Sequence, residues 1–78
     1  MSSDSKIRFQ GVVVGIEETD GRTALSVHGV VEGVECDFLL IAPSEKIEEI
    51  IVKGIGVMIE GYGRIVNKTP LIIELIEG

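Results

Sequence analysis

His28 is the only histidine and Cys36 the only cysteine, set among seven Lys or Arg and thirteen Asp or Glu residues. An imidazole beside a carboxylate can take up a proton near neutrality, and a two-residue turn at Glu32-Gly33 sets His28 opposite Asp37. The same pair also reads as an ordinary solvated cross-strand contact. One Cys and one His fall short of a four-ligand zinc site, and no cofactor is expected. Cys36 has no partner for an intramolecular disulfide, and its inward parity suits a buried thiol better than a nucleophile. No Ser-His-acid spacing stands out, so catalysis is not expected. The glycines at 54, 56, 61 and 63 lack a following Gly-Lys-Ser/Thr, which suits caps and bends rather than a phosphate loop. Asn67-Lys68-Thr69 matches a glycosylation acceptor, but it runs into Pro70 and reads as a turn.

The cations carry a second chemistry. Tyr62, Arg64 and Lys68, with Arg8 or Arg22, would combine a stacking ring with phosphate contacts. The alternative is a mixed surface that happens to hold one tyrosine. A net charge of −6 opposes strong non-specific nucleic-acid binding and leaves room only for a local basic patch.

These side chains need elements to hold them. A polar tail at residues 1–5 precedes one domain spanning residues 6–78. The first strand, residues 6–18, is long and is interrupted by Gly11 and Gly15. Ile7 and Phe9 share one face, and Val12, Val14 and Ile16 the other. A bulge near Gly11 would bring both sets onto the core. The turn at Asp20-Gly21 pairs Thr19 with Arg22, which sets Ile16 against Leu25 and Val14 against Val27. The turn at Glu32-Gly33 pairs Val31 with Val34, Gly29 with Cys36, Val27 with Phe38 and Leu25 with Leu40. Both turns place Leu25 and Val27 inside.

Pro43 ends the third strand. Ser44 is the expected N-cap of a helix over residues 45–53, and Gly54 its stop. Ile47, Ile50 and Ile51 form one apolar stripe that would plug the barrel. The fourth strand covers residues 56–66, with Val57, Ile59 and Ile65 inward. After a turn at Asn67-Lys68-Thr69-Pro70, the last strand puts Leu71, Ile73 and Leu75 on one face. Val13, Leu39, Ile41, Met58, Ile72 and Ile76 fall on outward parity. Leu39 with Ile41, and Ile72 with Ile76, would make a partner surface if they lie exposed and contiguous.

The chain has 78 residues, enough for one domain with a modest core. It has one Gln, one Asn and no Trp, and its Glu, Lys, Ile and Val content leans towards a thermophile-like composition. No apolar run spans a bilayer and the first residues are polar, so a cytoplasmic protein with no signal peptide and no membrane partner is expected.

Three strands, a helix and two strands resemble the OB-fold, a five-stranded Greek-key β-barrel with a helix between strands three and four. The likeness spans nearly the whole chain. It is carried by Phe9-Gln10-Gly11-Val12-Val13-Val14-Gly15-Ile16 and by the run from Lys53 to Ile65, where apolar alternation enters Gly61. Both segments look like those of anticodon-binding-type and replication-protein-type OB domains. The resemblance implies single-stranded nucleic acid crossing the outer face of strands two and three. That face here holds Ala24, Ser26, His28 and Val30 beside Glu35, Asp37, Leu39 and Ile41. It lacks a stacking ring and carries two carboxylates. A small nucleic-acid-binding module is therefore the first expectation. A protein-interaction or homo-oligomeric barrel is the alternative.

Overall fold

The structure, a computed structural model, describes residues 6–19 and 21–76. The expected tail at residues 1–5 and Asp20 of the first turn lie outside the described residues. The chain is all-β with one short helix. Strands β1 (Ile7–Thr19), β2 (Arg22–Val31) and β3 (Val34–Ile41) precede helix α1 (Ser44–Lys53), which is followed by β4 (Met58–Lys68) and β5 (Leu71–Ile76). The strands close into a barrel in the order β1-β2-β3-β5-β4. Among the described residues no helix is long and apolar enough to cross a membrane.

The second hairpin has the register its two-residue turn dictates. Val31 pairs with Val34, His28 with Asp37, Val27 with Phe38 and Leu25 with Leu40. Glu32 and Gly33 both adopt positive φ, at 51° and 83°, the pattern that matches the right-handed twist of flanking strands. Glu32 tolerates that backbone because it is tied down on both sides. Its N–H donates to the Arg8 carbonyl at 3.0 Å, and its carboxylate accepts the Arg8 N–H at 2.8 Å.

The first hairpin corrects one expectation. Thr19 pairs with Arg22 and Ile16 with Leu25, but Val27 lies opposite Val13, not Val14. The bulge sits at Val14 rather than near Gly11. The ladder runs unbroken through Phe9, Gly11 and Val13 because Gly11 and Gly29 face each other with their backbones too close for any side chain. Val13 is therefore core, although its parity marked it as outward. Val12 turns outward beside His28 and is half-buried, whereas Val14 is exposed. The extra residue returns Ile16 to the side of Leu25, but at the barrel's end, where it stays exposed.

The core holds Phe9, Val13, Leu25, Val27, Val31, Phe38, Leu40, Ala42, Ile47 and Ile73. Phe9 and Phe38 meet edge to face, with centroids 5.7 Å apart. Ile7, Cys36, Val57, Ile59, Leu71 and Leu75 pack around this set, as their parity requires. Ile65 pairs with the buried Ile73 yet remains exposed. Helix α1 closes one end with Ile47 and Ile50, while Ile51 points away and is exposed.

The helix start also departs from expectation. Pro43, not Ser44, is the cap residue, and no side chain caps the helix. The Pro43 carbonyl accepts from the N–H groups of Lys46 and Ile47 at 2.9 and 3.0 Å. Pro43 has an extended ψ of 150°, the non-helical entry geometry of a cap residue, so Ser44 becomes the first helical residue.

Candidate binding surfaces

Residues that are register partners in a barrel share a face, so the outer surface can be traced from pair to pair. On β1 and β4, Arg8 lies opposite Tyr62, Gln10 opposite Glu60 and Val12 opposite Met58. On β4 and β5, Tyr62 lies opposite Ile76 and Arg64 opposite Glu74. Arg8, Tyr62 and Arg64 are thereby brought together. Lys6 joins them, its Nζ standing 5.8 Å from the Tyr62 ring centroid. Sequence reading missed Lys6. Its signal was a position two residues before Arg8, hence the same face.

Tyr62 is 48% exposed and both phenylalanines are buried, so the phenol is the one exposed aromatic of the described chain. Two of the cations around it are paired with carboxylates. Arg64 Nε and Nη2 donate to Glu74 Oε1 at 3.0 and 2.9 Å. Arg8 Nη2 reaches Glu60 Oε1 at 3.5 Å. Solvated pairs of this kind contribute about 0–1 kcal/mol to stability. The other expected members are elsewhere. Lys68 closes β4 opposite Leu71, and Arg22 lies at the first turn beside a recess formed with Pro43, Ser44, Ile47 and Glu48.

The outer face of β2 and β3 divides into two halves. Ala24 and Ile41 are buried and pack with Ile72 and the half-buried Leu39 into a second apolar cluster. This corrects the expected partner surface. Leu39, Ile41 and Ile72 do face outward, but Ile41 and Ile72 are each only 8% exposed, and Ile76 is half-buried. Parity and exposure separate there, because these outward side chains pack against one another.

The other half is acidic. His28 Nδ1 donates to Asp37 Oδ1 at 2.5 Å, and His28 Nε2 lies 3.8 Å from Glu35 Oε2. The Asp37 hydrogen bond and charge, with a smaller contribution from Glu35, hold the imidazole above its ordinary value of 6.5. A folded-state value raised above the unfolded one stabilises the fold below the unfolded value, and that contribution disappears as pH rises through the folded value. The group is solvated, so the effect on stability is small. A proton NMR titration should therefore find the His28 midpoint above 6.5, falling towards it in Asp37→Asn. A wild-type midpoint at or below 6.5 would show that the pair is not formed in solution.

An apolar strip lies beside these polar surfaces. Gly56 N–H donates to the Val13 carbonyl at 2.8 Å and Val13 N–H to the Val57 carbonyl at 3.0 Å, which lays Ile55–Met58 along Val12–Val14. Met58 is 67% exposed, Ile55 62% and Val14 54%. Among the described residues no group of three or more His, Cys, Asp or Glu side chains could hold a metal ion. Neither models of known families, nor curated proteins, nor solved structures yield a match to the chain.

Proposed function

We propose that the chain is a non-catalytic, OB-type binding barrel that associates with protein rather than with phosphate backbone. The strand order and the helix between β3 and β4 support the OB-type reading. One observation carries the choice of partner: Val14, Ile55 and Met58 lie exposed along one bulged edge of the barrel, while the outer half-face of β2 and β3 presents Glu35 and Asp37. Exposed apolar side chains set side by side release water when another surface covers them. A second copy of the chain is the occupant to test first, because a small domain with no disulfide gains stability from assembly.

Sedimentation across a concentration series should show reversible self-association that is lost when Val14 and Met58 are both changed to Lys. Both side chains are solvent-facing, so the barrel should still fold. A wild-type chain that stays monomeric at the highest concentrations would remove self-association.

A second reading has its own observation. Lys6, Arg8 and Arg64 surround Tyr62, and a base stacked on that ring would bring its phosphates within their reach. A labelled oligothymidylate titrated at low salt distinguishes the two. Binding that vanishes in Tyr62→Ala would favour this reading over protein association.

A further inference from the structure

The outer rim of β3 is paired on one side only for most of its length. From Val34 to Leu40 the strand is laddered to β2, but β5 joins it only at Leu39, Leu40 and Ile41. Among the described residues, positions 34–38 have no strand on their second edge. The hairpin decides which backbone groups are affected. A two-residue turn is closed by a pair that exchanges both N–H···O bonds, and such pairs then alternate along the ladder. Val31 with Val34 is the closing pair, so Val34, Cys36 and Phe38 direct their N–H and C=O groups to β2. Glu35 and Asp37 direct theirs to the open side.

We propose that this edge receives an extended peptide segment of another protein, in which cationic residues alternate with apolar ones. The backbone of Glu35 and Asp37 offers two donors and two acceptors, main-chain groups of the kind that hold an added strand. The side chains set the partner's chemistry. Glu35 and Asp37 are both exposed on the outer face, and His28 engages one oxygen of each. Residues of an added strand that lie level with them are two apart, so cations at that spacing meet both carboxylates. The residues between those cations fall on the parity of Val34, which is exposed, and of Cys36, which is half-buried. A second copy of this edge is disfavoured as the occupant. It would set carboxylates against carboxylates, the like-charge arrangement that destabilises cross-strand neighbours.

The test uses a blocked Lys-Val-Lys-Val-Lys peptide and the chain carrying Lys at positions 14 and 58, so that self-association does not enter. The peptide should bind, and amide exchange at Glu35 and Asp37 should slow about tenfold while Val34, Cys36 and Phe38 are unaffected. A Glu-Val-Glu-Val-Glu peptide should bind about tenfold or more weakly, and changing Glu35 and Asp37 together to Lys should reverse that preference. Slowed amides together with reversed charge preference establish strand addition. Binding that leaves those two amides unchanged, binding that survives the charge reversal, or no binding at all overturns the proposal.

Discussion

Gly29→Ala should cost about 3 kcal/mol or more, at the upper end of what overpacking does to a core. A Cβ at Gly29 would fall on the Gln10 carbonyl oxygen and the Gly11 Cα. From the other side, a Cβ at Gly11 would stand 2.7 Å from the His28 carbonyl oxygen and 2.7 Å from Val27 Cγ1. These neighbours are mostly backbone and cannot swing away as a flexible side chain would. Strand β1 cannot retreat either, because Gly11 also pairs with Ile59 on β4. A domain of this size has a total stability of about 4–12 kcal/mol, so the loss is a large share of it. The thermal midpoint should fall by roughly 12–24 °C, followed by circular dichroism. Gly15→Ala is the control. Its Cβ would meet only Ser26 Cβ, at 3.9 Å, so the midpoint should stay within a few degrees of wild type. Equal stability of the two variants would mean that β1 and β2 do not approach as closely as the structure has them.

Phe38→Ala should be nearly as damaging, at about 3–5 kcal/mol by urea denaturation. The ring is 3% exposed and sits edge to face with Phe9 at an interplanar angle of 65°. Removing it leaves a void bounded by residues of several strands, which a closed barrel cannot collapse to fill. A double-mutant cycle with Phe9→Leu should return a coupling of about 0.5–1.5 kcal/mol, the size of an aromatic pair beyond its burial. A loss under 1 kcal/mol would place Phe38 on the surface. That outcome would also reverse the functional reading, since an outward Phe38 would give the β2–β3 face the stacking ring it lacks. The same residue thus bears on both the stability of the barrel and the partner proposed for it.

Much of this was legible in the residues. The Glu32-Gly33 turn placed Phe38 inside and left His28 beside Asp37 on the outer face, and the structure has both. The helix lies where Pro43 and Gly54 bracket it and begins one residue earlier than expected, because a proline took the cap. The first strand is less legible. Its alternation offered two apolar faces, and the glycine pair that selects between them lies on different strands. The surface is the least legible part of the chain. Ile41 and Ile72 have the parity of exposed residues and the burial of core ones. Of the expected cations, Arg8 and Arg64 converge on Tyr62 while Arg22 and Lys68 do not, and Lys6 takes a place beside the ring.

The division follows chain distance. A two-residue turn constrains its own strands through local backbone geometry, so the pairings around Glu32-Gly33 and the inward set Leu25, Val27 and Phe38 were determined by the sequence alone. The contact of β1 with β4 and the shortness of the β3–β5 ladder arise only when the barrel closes. Closure brings together segments about thirty to fifty residues apart, and no local pattern encodes which of their outer side chains end up as neighbours. The core could therefore be read from alternation, whereas the Tyr62 cluster, the apolar strip and the open edge of β3 were decided by tertiary structure.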